Sequence, residues 1–86
     1  MALTRISPIE ARVRWDADKA APRDVHWNDR HLTVTGVAAV RDERAAYPAH
    51  RGPRVTFLLE TSDGQASVTF DGRRRRWFVE ALDPAA

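Results

Sequence analysis

The sequence predicts an all-β domain: one small antiparallel meander of about six strands, curled into an SH3-like barrel, with at most one short helix. Three observations carry that expectation. Apolar and polar residues alternate with a period of two along several runs, the pattern of strands with one buried face. Turn-forming pairs such as Asn28-Asp29, Asp63-Gly64 and Asp71-Gly72 separate those runs at short intervals. The chain has 86 residues, enough for one domain with a modest core, and closing a small sheet on itself removes its exposed edges.

Residues 1–8, ending at Pro8, read as a flexible N-terminal arm, residues 9–83 as the β domain, and residues 84–86 as a tail. From Ile9 the apolar positions Ile9, Ala11, Val13 and Trp15 alternate with Glu10, Arg12 and Arg14, which gives a half-buried strand. Asp16 to Arg23 is polar, contains Pro22, and reads as a connection. The runs on either side of Asn28-Asp29 predict a β-hairpin that sets Val25 opposite Leu32, His26 opposite His31 and Trp27 opposite Arg30. In that register the Arg30 guanidinium reaches the Trp27 ring. The second strand of the hairpin runs on to Val40, and Gly36 marks a bulge or a close backbone approach. Arg41 to Tyr47 holds helix formers for a turn or two, ended by Pro48 and a loop to Pro53.

The C-terminal half alternates more clearly. Val55, Phe57 and Leu59 share one face; Ala66, Val68 and Phe70 share the next after a turn at Ser62-Asp63-Gly64. A last strand runs from Arg76 to Leu82. If Asp71 to Arg74 form the loop before it, Phe70 faces Arg75 and Val68 faces Trp77.

Composition bounds the function. There is no Cys, so no disulfide, thiolate metal site or cysteine nucleophile exists, which fits a reducing cytosol and a cytoplasmic location. The N-terminus has no apolar signal-like core, and no run approaches the roughly 18 apolar residues of a membrane span, so no membrane role is expected. The net charge is only +2 but the pI is about 9.9, because Arg supplies every basic residue except Lys19. Such a bias suits forked recognition of phosphate or carboxylate; a GC-rich genome, which favours both Arg and Ala, gives the same bias without function.

The candidate binding residues are Arg73, Arg74, Arg75, Arg76 and Trp77, with Arg51 and Arg54 from the preceding basic loop. Consecutive guanidinium groups offer forked donors to phosphates, and Trp77 or Phe78 offers a ring on which a base can stack. The competing reading is a solvated turn whose charge deters edge pairing. From Arg54 to Ala86 the five arginines are matched by Glu60, Asp63, Asp71, Glu80 and Asp83, so any basic field there is local. His26 and His31 could offer two imidazoles to a metal, with Asp24 or Asp29 as a third ligand, but zinc sites use three or four ligands at recognisable spacing; no metal and no cofactor are expected. Asp16/Asp18 and Asp42/Glu43 lie beside basic residues, and no nucleophile elbow or glycine-rich phosphate loop is present, so no catalytic residue is assigned. Trp15, Trp27 and Trp77 fall on the apolar parity of their strands and read as core, one of them alternatively as an anchor for a partner.

The order Val13-Arg14-Trp15, Pro22, Val25-His26-Trp27, Val34, Arg54, Phe57, Thr61-Ser62-Asp63-Gly64 and Arg76-Trp77 resembles a family of small uncharacterised bacterial domains. Those domains occur alone or attached to error-prone Y-family polymerase-like proteins. The likeness covers residues 11–82, with Ala45-Ala46-Tyr47-Pro48 where that family has an aromatic-rich segment. It implies an accessory role near DNA repair or translesion synthesis without catalysis. The expectation is therefore a non-enzymatic binding module that contacts a protein partner or nucleic acid through the basic hairpin. The alternative is a homo-oligomeric protein-interaction module with no nucleic-acid role.

Overall fold

The computed structural model describes residues 3–42 and 54–83. Six antiparallel strands follow one another in chain order: β1 (Thr4–Asp16), β2 (Ala21–Trp27), β3 (Arg30–Asp42), β4 (Arg54–Thr61), β5 (Gly64–Asp71) and β6 (Arg76–Leu82). β1 pairs with β6 and closes the barrel, as the expected meander requires. The described residues contain no helix.

Closure depends on two long, bent strands. β1 pairs with β6 through Thr4 to Ala11 and with β2 through Arg12 to Asp16. β3 pairs with β2 through Arg30 to Thr33 and with β4 from Val34 onward. Its register slips between Val34 and Gly36, so the bulge expected at Gly36 is present where the strand changes partner. Each long strand thus belongs to two parts of the wall, which lets only six strands close.

Three expectations need correction. Residues 4–8 are not an arm: they open β1, and Thr4 and Arg5 pair with Leu82 and Ala81. Ile6 packs partly buried against the core, so the strand has an apolar reason to begin before Pro8. Ala21, Pro22 and Arg23 are not connection but the start of β2, and Ala21 and Pro22 are buried. Pro22 pairs with Trp15 just where the β1 register slips, a position that tolerates a residue without an N–H. Arg41 and Asp42 continue β3 instead of turning into a helix, and residues 43–47 of that helix expectation lie outside the described residues.

The core holds Val25, Trp27, Leu32, Phe57, Leu59, Ala66, Val68 and Val79, drawn from β2 to β6, with Ile9, Ala11 and Val13 of β1 packed against it. The hairpin at Asn28-Asp29 has the expected register, and the Arg30 Cζ lies 5.4 Å from the centre of the Trp27 ring. Asn28 takes the left-handed conformation that such a turn demands and that Asn tolerates.

In the next hairpin, Thr61 pairs with Gly64 across Ser62-Asp63, and the Ser62 N–H donates to the Thr33 carbonyl of β3 at 3.0 Å. The Thr61 hydroxyl donates to the Gly64 carbonyl at 2.5 Å and accepts the Asp63 N–H at 3.1 Å. Gly64 has φ 107°, and a Cβ there would stand 2.9 Å from both Cβ and Oδ2 of the buried Asp83. Gly64→Ala should therefore destabilise the domain by at least about 1 kcal/mol, read as a lower thermal midpoint. An unchanged midpoint would mean that the turn is not held in this conformation.

Candidate binding site

Asp71 and Arg76 are the last pair of the β5–β6 ladder, and Gly72, Arg73, Arg74 and Arg75 form the loop beyond it. The expected register is corrected by two residues: Phe70 faces Trp77, and Val68 faces Val79. The Asp71 side chain supplies the reason. Its Oδ1 accepts the N–H groups of Arg73 at 3.0 Å and Arg74 at 3.2 Å, which starts the turn one residue later. The slip also sets an aromatic ring opposite an aromatic ring.

Arg75 closes the loop with φ 55°, a left-handed conformation that glycine adopts without cost. Arg75→Gly should raise stability by about 0.5–1 kcal/mol, measurable as a higher denaturation midpoint. A fall in the midpoint would contradict this loop geometry.

The arginines do not act as one block. Arg76 is bound through Nη1 to both carboxylate oxygens of Glu10, at 2.8 and 2.9 Å, on the outer face. Arg74 lies 4.0 Å from Asp71, a loose and exposed contact. Arg73 and Arg75 are exposed, with no carboxylate partner among the described residues. The free positive charge of the hairpin is thus concentrated on its loop.

Arg54 starts β4 in the same cross-strand row, opposite Asp71, but its guanidinium is committed to Glu80 at 2.6 Å. Glu80 also accepts the Thr69 hydroxyl proton at 2.6 Å. Thr69 is fully buried and has only one hydroxyl proton, so Thr56, 2.9 Å away, must donate to it. This chain of bonds ties β4, β5 and β6 together on the outer face and takes Arg54 out of the free charge. Arg51 lies outside the described residues.

Beneath the arginine loop is an aromatic cluster that the sequence did not single out. Phe70 and Trp77 have ring centres 5.0 Å apart, and Phe57 and Trp77 5.8 Å. Trp15, at the far end of β1, completes it, 5.8 Å from Phe57 edge-on and 6.1 Å from Trp77. With Val55 and Asp42 these rings line an open cleft of about 550 Å³ at the barrel end that also carries the arginine loop. Trp15 is corrected from core to rim: it is 49% exposed. The signal in the sequence was its place as the last apolar position before a polar turn, which puts it at an end of the barrel.

His26 and His31 do face each other, with ring centres 5.6 Å apart, and His31 lies 3.7 Å from Asp24. Asp24 is shared with Arg14 at 3.5 Å. No group of three His, Asp or Glu among the described residues is placed to hold a metal ion. No helix among them is long and apolar enough to cross a membrane.

These features define a small closed all-β barrel with a basic loop above an aromatic mouth. Compared with protein-family models, curated proteins and solved structures, the chain matches none.

Proposed function

We propose that the chain is a non-enzymatic accessory module that binds nucleic acid through the arginine loop at the aromatic end of its barrel. The observation that carries this reading is the pairing of Phe70 with Trp77 directly below the Asp71–Arg76 row, so that unpaired arginines and exposed aromatic surface share one end. Guanidinium groups neutralise phosphates, and flat rings accept bases whatever their identity. A purely solvated turn would need the charge but not the rings. A connection to DNA repair or translesion synthesis is supported by the sequence resemblance alone.

The test is a fluorescence-anisotropy titration with labelled oligonucleotides across a salt series. A variant carrying Arg73→Ala, Arg74→Ala and Arg75→Gly, which leaves the Arg76–Glu10 pair in place, should lose most of the affinity. Equal binding by this variant would sink the proposal.

A second reading, self-association, rests on a separate observation. Val37 and Val40 of β3 are 39% and 54% exposed, and no strand among the described residues pairs with the outer edge of residues 36–42. A neighbouring cleft of about 680 Å³ is lined in part by Leu3, Ala39, Val40 and Leu58. An open edge with apolar flanks suits pairing with a second copy. A dimer mass by light scattering would support this reading, and a monomer at high concentration would remove it.

A further inference from the structure

We infer that the nucleic acid is single-stranded and that the aromatic mouth takes one unpaired base, stacked on Trp15. This rests on the reading of the arginine loop as a nucleic-acid contact and names the form of the ligand.

The mouth supplies the argument. Its cleft of about 550 Å³ falls within the roughly 300–1,000 Å³ typical of small-ligand sites. Its walls are rings: Phe57, Phe70 and Trp77 form the floor, and Trp15 stands at the edge with about half its surface in water. Trp15 touches Phe57 edge-on and lies tilted by 33° to Trp77, so those two rings hold it without covering it. An indole held in this way is a stacking platform whose orientation is already fixed, and little side-chain entropy remains to be lost on binding.

The charges separate base from backbone. Arg73 and Arg75 carry free positive charge on the loop next to the Phe70–Trp77 pair, whereas among the described residues the one ionisable side chain lining the cleft is Asp42. Phosphate is therefore favoured at the loop, and the ring walls of the cleft suit an uncharged flat group. A nucleotide has that division: an anionic backbone and a neutral ring. A cationic side chain from a protein would meet the arginines first, so a cation-binding cage is the poorer fit. In a duplex both faces of each base are already stacked, so only an unpaired base can enter without melting the helix.

The experiment compares three labelled probes by anisotropy with the full chain. They are a single strand of about ten nucleotides, a duplex of the same length, and a matching strand with abasic sites. The single strand should bind about tenfold or more tightly than either other probe and quench tryptophan fluorescence. Trp15→Leu should weaken the single strand about tenfold while leaving its salt dependence unchanged, because the phosphate contacts remain. Trp15→Phe, which keeps a stacking ring, should restore most of the affinity; it also separates a missing stacking ring from a folding defect.

Equal affinity for the abasic strand, or wild-type affinity in Trp15→Leu, would overturn the inference. If the arginine-loop variant still failed to bind in that case, the nucleic-acid reading itself would stand. Failure of every oligonucleotide to bind, with capture of a polyglutamate peptide instead, would overturn both in favour of an acidic protein partner.

Discussion

Leu59→Ala is expected to lower the stability of the domain by about 3 kcal/mol, with a fall in the thermal midpoint of about 12–24 °C. Leu59 is fully buried in β4, and its cluster also contains Val25, Leu32, Val68 and Val79, all within 1% of full burial. Those neighbours come from four different strands held by the closed ladder, so the wall cannot collapse easily onto the space left behind. A domain of this length has a total stability of only about 4–13 kcal/mol, so this one truncation removes a large share of it. Val40→Ala supplies the contrast: Val40 is 54% exposed, and its truncation should change stability by less than about 0.5 kcal/mol. Similar midpoints for the two variants would mean that the barrel interior is not centred on Leu59.

The second large effect concerns binding. Removing the charges of Arg73, Arg74 and Arg75 should weaken a single-stranded oligonucleotide about tenfold or more near physiological salt, since charge-assisted hydrogen bonds contribute about 1.5–3 kcal/mol each. The fold should survive. All three side chains are exposed, Arg74 makes only a loose contact with Asp71, and glycine at position 75 suits the left-handed backbone there. Asp71 still receives the backbone N–H groups of positions 73 and 74, so the turn keeps its closing bonds. Binding and folding are thus separable at this loop in a way they are not at Arg54. That residue belongs to the Glu80–Thr69–Thr56 chain, and its removal would leave Glu80 short of a partner on a largely buried surface.

Much of the fold was legible in the sequence because period-two alternation and turn chemistry are local. Asn28-Asp29 fixes the β2–β3 register down to the Arg30–Trp27 contact. Thr61-Ser62-Asp63-Gly64 gives the next hairpin in the same way. What escaped is non-local. Pro8 reads as a breaker, yet Thr4 and Arg5 are drawn into β1 by pairing with β6, at the other end of the described sequence. The Asp71 side chain, not the glycine after it, decides where the arginine loop begins, and that moved the cross-strand partners of Val68 to Phe70 by two.

The site shows the same division. The basic run was visible as composition, but its partition into paired and free members depends on Glu10 and Glu80, which only the closed sheet brings near Arg76 and Arg54. The aromatic mouth was missed for two reasons: the β4–β5–β6 ladder sets Phe70 opposite Trp77 and beside Phe57 only in the observed register, and barrel closure through β1 adds Trp15.

The most direct measurement is the salt dependence of single-strand binding, wild type against the Arg73→Ala, Arg74→Ala, Arg75→Gly variant, from about 50 to 200 mM salt. The arginine loop predicts that affinity falls linearly on a log–log plot and that the variant's slope is shallower by about two, near 0.7 for each phosphate no longer neutralised. Identical slopes and affinities in the two proteins, or no binding by the wild type at the lowest salt, would contradict it.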